Sequence, residues 1–181
     1  MYKKPIVVFE GVEGSGKTLH IKHLSNFLKK RKIKFIKIRE PGGHFNSEKI
    51  RKLILNNKSK FHKNTDLLLY LAARNENLQN LLIKNYKKKV ILIDRFTDST
   101  LAYQHYGMGI NINLINSINS FLLKNFKTNL TFLNLVSKKN MKNRLLKRKT
   151  LNRYDKFKMS FYTKVQNGYL KLYAKNKNKY K

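Results

Sequence analysis

Cysteine and tryptophan are absent from the 181 residues, and proline occurs only twice. A chain without cysteine can form neither disulfide bonds nor thiolate-ligated zinc or iron–sulfur sites, which is typical of a reducing compartment, so we expect a cytoplasmic location. No run of apolar residues approaches the about 20 that a membrane-spanning helix needs. The first residues, 1–5, also lack the apolar core of a secretion signal. We therefore expect neither a membrane partner nor export.

Acidic residues are scarce too, because 9 Asp and Glu stand against 41 Lys and Arg, which gives a formal net charge of +32. Such an excess can indicate a nucleic-acid partner. Lysine accounts for 33 of the basic residues and arginine for only 8, however, and 22 asparagines accompany them. This bias is typical of an AT-rich genome, whereas recognition of phosphates and base edges favours arginine. We expect no specific nucleic-acid partner, while the charge leaves non-specific RNA contact open.

Short apolar segments alternate with helical patterns along the chain. The segments at 6–9, 33–38, 90–93 and 130–135 predict four strands. Apolar residues recur at helical spacing from Lys17 onward and over 46–56, 64–85, 97–106, 112–126, 137–148 and 155–174. This alternation predicts an α/β fold in which helices cover both faces of a parallel sheet. With 41% hydrophobic residues and no linker or repeat, residues 1–181 are expected to form one domain.

The clearest motif is a complete G-x-x-x-x-G-K-T between the first strand and the first helix. It comprises Gly11, Val12, Glu13, Gly14, Ser15, Gly16, Lys17 and Thr18. The glycines let the backbone N–H groups surround nucleotide phosphates, Lys17 reaches the terminal phosphates, and the Thr18 hydroxyl can ligate Mg²⁺. The motif predicts a P-loop NTPase fold and an ATP-binding site over these eight residues.

A second feature is Asp94-Arg95, which directly follows the predicted strand at 90–93. Ligands of open parallel sheets bind beyond the carboxyl ends of the strands, so Asp94 is expected near the metal and Arg95 near the phosphates. Five of the nine acidic residues lie in or beside such strand-end segments, namely Glu10, Glu13, Glu40, Asp94 and Asp98. This clustering favours a site over a solvated surface.

Four segments together resemble the thymidylate kinase family. Residues 9–18 are similar to its phosphate loop, Arg39-Glu40-Pro41-Gly42-Gly43 to its Arg-Glu-Pro-Gly-Gly segment, and Tyr70-Leu71-Ala72-Ala73-Arg74 to its aromatic-x-Ala-x-Arg helix. Residues 94–104 resemble its signature Asp-Arg-Tyr-x-x-Ser-x-x-Ala-Tyr-Gln. The segments occur in the family's order and spacing over residues 1 to about 175. The resemblance implies the nucleoside monophosphate kinase type of P-loop fold.

The same resemblance implies transfer of the ATP γ-phosphoryl group to dTMP, with Mg²⁺ as cofactor. Lys17 and Arg95 are then expected on the transferred and accepting phosphates, and Thr18 and Asp94 around the metal. The implied acceptor-binding residues are Glu13 (sugar or phosphate), Arg39 (phosphate), Tyr70 (thymine stacking), Arg74 (a thymine carbonyl), Arg95, Ser99, Thr100 and Gln104 (base pocket), and Tyr103 (sugar C2′).

The basic stretch 144–153 lies where this family has a mobile lid, which we expect near 144–154. Because the phosphate loop contains no arginine, transition-state charge is expected from the lid, with Arg153 or Arg148 as the candidate.

The sequence departs from the family pattern at several positions. Phe96, Leu19 and Met108 replace a tyrosine or histidine, a hydroxyl residue and an arginine, respectively. The family also continues past its long last helix with a fifth strand and a further helix. We expect both to be absent here, which predicts four strands and a less covered sheet edge.

Three further expectations stay open at this stage. The family is usually homodimeric, so a homodimer is implied by the resemblance alone. A different function class is a degenerate P-loop protein that acts as a basic RNA-binding module. A nearer alternative is a kinase of another nucleoside monophosphate, such as dUMP.

Overall fold

The computed structural model describes residues 4–124 and 126–181. The expectations for a secretion signal and for a helix over 112–126 extend to residues 1–3 and to Asn125, respectively, which lie outside the described residues.

The four predicted strands form one parallel sheet, as expected, and their order in it is β2-β3-β1-β4. They span Ile6–Glu10 (β1), Phe35–Arg39 (β2), Val90–Asp94 (β3) and Leu130–Leu133 (β4). In the register of β1 with β3, Phe9 lies opposite Asp94. The chain leaves the carboxyl ends of these two central strands in loops that lie side by side.

The helices agree with the predicted segments. They are Lys17–Lys30 (α1), Phe45–Leu55 (α2), Lys63–Asn77 (α3), Ile83–Asn85 (α4), Thr97–Thr100 (α5), Ile112–Leu123 (α6), Lys138–Leu146 (α7) and Met159–Lys175 (α8). π-helical turns at Leu78–Leu82 and Leu101–Gly107 connect α3 to α4 and extend α5. Short 3₁₀ turns lie at Arg153–Lys156 and Lys177–Lys179.

The last long helix begins later than predicted. Asn152 and Asp155 form a capping box that closes a separate 3₁₀ turn, and Phe157 is extended, with ψ 151°. The helix expected over 155–174 therefore starts only at Met159.

Both faces of the sheet are covered by helices. On one face, β1 residues Val7 and Phe9 pack with Ile21 and Leu28 of α1. On the other, Ile6, Val8 and Ile93 pack with Leu78 and Leu82 of the π-helical turn that follows α3. A third cluster joins α8 to the phosphate loop and to the π-helical turn after α5 through Val12, Tyr103 and Tyr169. The apolar faces thus fix the loops at the carboxyl ends of β1 and β3.

The outer edge of β4 contacts the last residues of the chain. Tyr180 forms a parallel bridge with Thr131, the Lys181 amide donates to the Thr131 carbonyl at 2.9 Å, and the Leu133 amide donates to the Lys181 carbonyl at 3.1 Å. The edge was expected to be less covered, and in the described part of the chain the terminal residues pair with it only through this isolated bridge and these two hydrogen bonds.

Among the described residues, none of the helices combines the length and the apolar character needed to cross a bilayer.

Candidate active site

The turn between β1 and α1 requires glycine at defined positions. Gly11 has φ +138°, and a Cβ there would lie 2.3 Å from the carbonyl oxygen of Asn134. Gly16, which caps α1, has φ +97°. Such a turn presents the unpaired N–H groups of a helix start to an anion. The phosphate loop predicted from the sequence has the conformation that its motif demands.

Lys17 is the first residue of α1 and is buried. Its Nζ donates to the carbonyl oxygens of Gly11 at 2.8 Å and Val12 at 3.0 Å. Burial first, and then the nearby charge of Arg95, lower the pKa of Lys17 to about 7. A phosphate beside this ammonium would favour its charged form, because opposite charges stabilise each other in a buried site.

Arg95 follows β3 and is held by a carboxylate of the phosphate loop. It has φ +68°, a left-handed conformation that is strained for a residue with a side chain. Its Nη2 donates to Glu13 Oε1 at 2.9 Å, and its guanidinium lies 5.0 Å from the ring centre of Tyr103. The Tyr103 hydroxyl donates to the other Glu13 oxygen. Burial pushes the pKa of Glu13 upward, but the charges of Arg95 and Lys17 outweigh it and keep the pKa below its usual value.

Glu10, the last residue of β1, anchors the segment after Arg95. Its side chain is fully buried, and Oε1 accepts hydrogen bonds from the Phe96 amide at 2.8 Å and the Ser99 amide at 3.2 Å. Oε2 accepts from the Ser99 hydroxyl at 2.5 Å and the Tyr169 hydroxyl at 3.2 Å. Burial, followed by the charge of Asp98, raises the pKa of Glu10. This carboxyl group connects β1, α5 and α8 directly behind Arg95.

Arg74 on α3 is the most completely satisfied arginine of the site. It is 2% exposed and donates to Glu40 Oε2 at 2.8 Å, Asn119 Oδ1 at 2.8 Å and Thr100 Oγ1 at 2.9 Å. The ring centre of Phe96 lies 5.1 Å from its guanidinium carbon. Three acceptors and an aromatic face, from separate parts of the chain, fix the orientation of this guanidinium.

A single cavity of about 630 Å³ joins the phosphate loop to Arg74. Most of the residues predicted to bind nucleotides line it, namely Glu13, Gly14, Gly16, Lys17, Thr18, Tyr70, Arg74, Asp94, Arg95, Ser99, Thr100, Tyr103 and Gln104. Its volume lies within the about 300–1,000 Å³ that small-molecule pockets span. The basic residues that line this cavity include Lys17 of the phosphate loop, Arg74 of α3 and Arg95 after β3.

Comparison with known proteins assigns the family. The model of the thymidylate kinase family matches residues 9–181. The chain belongs to the thymidylate kinase family. A thymidylate kinase from Clostridium novyi (strain NT) is 39% identical over all of this chain and 90% of its own length, and one from Geobacillus sp. (strain WCH70) is 40% identical over 91% and 80%.

A solved structure supports the same assignment. The crystal structure of thymidylate kinase from Ehrlichia chaffeensis has a TM-score of 0.82 to this chain at 28% identity, and the match covers 99% of this chain and 92% of that one. The predicted P-loop kinase fold is confirmed. As a thymidylate kinase, the protein phosphorylates dTMP with ATP as donor. The matched relatives support neither the RNA-binding alternative nor a different nucleotide acceptor.

Five of the residues predicted for this thymidylate kinase site do not line the cavity: Gly11, Val12 and Ser15, which belong to the phosphate loop, and Arg39 and Arg153, which lie elsewhere. Arg39 is exposed and pairs with Glu48 at 3.0 Å. Arg153 donates to Asp66 Oδ1 at 2.5 Å and to the carbonyl oxygen of Ile54 at 3.1 Å. Neither arginine lines the cavity. Carboxylates that do not line the cavity hold both guanidinium groups.

Three other arginines lie at the cavity, two of which were not predicted to belong to the site. Arg144 of α7 donates to the carbonyl oxygen of Gly14 at 2.5 Å, and Arg148 pairs with Asp155. Arg51 of α2 donates to the carbonyl oxygen of Pro41 at 2.5 Å. All three arginines line the cavity. Arg148 was one of the two lid candidates, whereas Arg144 and Arg51 were missed, although each is one of only eight arginines in the chain.

Thr18 and Asp94 offer oxygen atoms to a cation. Both line the cavity, and Asp94 Oδ1 is buried without a hydrogen-bond partner among the described residues. No group of three or more His, Asp or Glu side chains is arranged for a metal in residues 4–124 and 126–181. A hydroxyl and a single carboxylate suit Mg²⁺, which takes its remaining ligands from phosphates and water.

The positions that depart from the family pattern have defined surroundings. Phe96 is 2% exposed and lies against Arg74. Where the family has the polar group of a tyrosine or histidine, this chain has an aromatic ring in a cation–π contact with Arg74. Leu19 lines the cavity beside the phosphate loop, and Met108 packs at the edge of the apolar core.

Proposed function

We propose that ATP lies over the phosphate loop and dTMP over Arg74, so that the two phosphate groups meet between Lys17 and Arg95. The observation that carries this proposal is the single cavity that contains all three cations. Arg95 lies between the phosphate loop, through Glu13, and the acceptor wall, through Tyr103. Positive charge is thereby available along the whole line of transfer.

The thymine base would occupy the wall formed by α3 and α5. Tyr70 is half-buried at the cavity surface and offers a ring face for stacking. Arg74 has two N–H groups beyond the three already bonded, and Gln104 Nε2 is buried without a partner among the described residues. Both can donate to base carbonyls, and Ser99 and Thr100 line the same wall.

The sugar would lie between the base wall and Arg95, against Tyr103. The Tyr103 ring is fixed by the hydroxyl contact to Glu13 and is only 5% exposed. A rigid ring at this place leaves little room for a 2′-hydroxyl, which supports a preference for deoxyribose. Glu13 would face the sugar or the phosphate.

Phosphoryl transfer needs little covalent help from the protein. An oxygen of the dTMP phosphate forms a bond to the ATP γ-phosphorus while the bond from that phosphorus to the β,γ-bridging oxygen breaks, which yields dTDP and ADP. Lys17 and Arg95 stabilise the charge on the transferred group, and the walls of the cavity hold the two phosphates in line. Mg²⁺, held by Thr18 and Asp94 together with phosphate oxygens, would neutralise charge on the donor.

The lid would complete the donor side. Residues 144–154 connect α7 to the turn before α8, and Arg144 and Arg148 from this stretch line the cavity. These two arginines suit the supply of transition-state charge better than Arg153, because Asp66 holds the Arg153 guanidinium outside the cavity, whereas Arg148 lines the cavity while it pairs with Asp155. For the acceptor phosphate, Arg51 is the corresponding candidate in place of Arg39.

A homodimer in the cytoplasm is the expected working form. Helix α3 contacts both α2 and α6, and the three helices carry exposed large apolar side chains at Phe45, Leu53, Leu68, Leu114 and Phe121. Burying such side chains favours association. Sedimentation that shows only monomer at micromolar concentration would contradict this part.

The test is turnover of ATP to ADP with Mg²⁺ against dTMP, dUMP, UMP, CMP, AMP and GMP at about 0.15 M salt, which screens the surface charge. We expect the highest kcat/KM with dTMP and some activity with dUMP, because a missing methyl group costs only about 1–3 kcal/mol in a pocket. Equal turnover of all acceptors would contradict the assigned acceptor site.

A further inference from the structure

The segment from Arg95 to Thr100, which follows β3 and presents Arg95, Ser99 and Thr100, must be held by more than one contact. Arg95 adopts φ +68°, and a strained residue keeps such a conformation only where its surroundings enforce it. Glu10 supplies one anchor from β1, through the Phe96 and Ser99 amides and the Ser99 hydroxyl. These hydrogen bonds attach the segment to the end of β1.

A second anchor comes from the other end of the chain. Lys179 Nζ donates to both carboxylate oxygens of Asp98, at 2.8 and 2.7 Å, and the Tyr180 hydroxyl donates to Oδ2 at 2.7 Å. Asp98 lies between Arg95 and the cavity-lining pair Ser99 and Thr100, but it does not line the cavity itself. Its carboxylate therefore acts on the segment, not on a substrate.

This contact is built into the fold and is not a loose surface ion pair. The side chains of Asp98 and Lys179 are 7% and 26% exposed, and Tyr180 is 5% exposed. The backbone of Tyr180 bridges to Thr131 at the edge of β4, and its ring packs at 5.8 Å against that of Tyr173 on α8. The sheet and α8 thus fix the two donors in space.

We propose that Lys179 and Tyr180 are positioning residues for phosphoryl transfer, because they hold Asp98 and, through it, the segment that presents Arg95, Ser99 and Thr100. Glu10 from β1 and the pair Lys179 and Tyr180 from the last residues thus hold this segment from two separate parts of the chain. The inference rests on the proposed role of Arg95 at the transferred phosphate.

The test compares K179M, K179R and Y180F in the full chain, with K177M as the charge-matched control, since Lys177 is an exposed lysine two residues earlier. Each variant is assayed for kcat, for the KM of ATP and of dTMP, and for its thermal midpoint. We expect K179M to lower kcat by about 10-fold to 100-fold, because small displacements of positioned groups have such effects. The KM of ATP should stay near that of the parent, K179R should recover most of kcat, and K177M should change nothing.

Y180F tests the positioning role if K179M fails to fold, because this variant removes only the hydroxyl that donates to Asp98 and keeps the ring. It should lower kcat by less than K179M does, with an unchanged KM for ATP. The proposal is overturned if the folded variants keep parental kcat, or if K179R is no more active than K179M. In a D98N background, K179M should add no further loss, and an additive loss would also overturn it. If R95M retains parental kcat, the proposed role of Arg95 fails instead, whatever the Lys179 variants do.

Discussion

The acceptor wall and the lid of this thymidylate kinase hold their arginines in opposite ways. Arg74 is 2% exposed, and its three acceptors come from different parts of the chain, while Arg95 is gripped by Glu13 and Tyr103. In the lid, the Arg148 side chain is 38% exposed, and Arg144 is exposed with one carbonyl contact. In the proposed assignment, the acceptor site would be set before a nucleotide arrives, whereas the donor side would depend on the exposed arginines of the lid.

Acidic side chains determine which of the arginines are held in place. With 9 acidic residues against 41 basic ones, each acid determines which cation is fixed. Glu40 and Glu13 fix Arg74 and Arg95 inside the cavity, whereas Glu48 and Asp66 hold Arg39 and Arg153 outside it. In such a basic protein, the few acids determine where individual arginines are held, both inside and outside the cavity.

Replacement of Arg95 should have the largest effect. We expect R95M to lower kcat by about 10³-fold, because arginines at a transferred phosphoryl group contribute at least this much. R95K should recover little, since lysine lacks the planar fork that meets both Glu13 and a phosphate. Single-turnover rates at saturating ATP and dTMP measure this, and a loss below tenfold would contradict the central position of Arg95.

Replacement of a lid arginine should have the next largest effect. We expect R148A to lower kcat by about 10²-fold, the loss typical of removing one stabilising donor. R153A is the matched control in the same stretch, since each arginine pairs with an aspartate and only Arg148 lines the cavity, and its kcat should stay within about threefold of the parent. The opposite ranking of these two variants in steady-state assays would return the assignment to Arg153.

Loss of the Arg74 guanidinium should act on acceptor binding. We expect R74M to lower kcat/KM for dTMP by about 10-fold to 100-fold, the value of charged hydrogen bonds to a ligand, while KM for ATP stays unchanged. The exposed Arg39 provides the comparison, and R39M should leave kcat/KM within about threefold, as expected for a surface ion pair. Equal losses for the two variants would show that the acceptor wall is not organised around Arg74.

The smallest effect concerns stability at low pH. The folded-state pKa of Glu13 lies below its unfolded value of 4.5, so its ionised form stabilises the protein above that pH. This stabilisation is lost as the pH falls through the folded-state pKa. The free energy of unfolding of the parent should therefore drop more steeply with acid than that of E13Q below pH 4.5. Parallel curves from urea titrations would contradict the charge assigned to Glu13.

Local patterns in the sequence were sufficient for the strands and for the central site. The phosphate loop and Asp94-Arg95 each form within a short stretch between a strand and a helix, so their spacing alone predicts their geometry. The fold and family predicted from them are confirmed.

Contacts between distant segments could not be predicted in the same way. Asn119 meets Arg74 across 45 residues, Arg144 meets Gly14 across 130, and Lys179 meets Asp98 across 81. No motif links such pairs, because each depends on how helices pack over the sheet. The π-helical turn that carries Tyr103 and Gln104 was also missed, since its sequence has ordinary helical spacing.

The most direct test of a preformed acceptor wall and a separate lid is calorimetric titration of dTMP, without ATP, into the parent protein, R74M and R148A. If the acceptor wall is preformed and the lid separate, R148A binds dTMP with the parental Kd, and R74M binds it at least about tenfold more weakly. Weakened binding by R148A together with parental binding by R74M would contradict it.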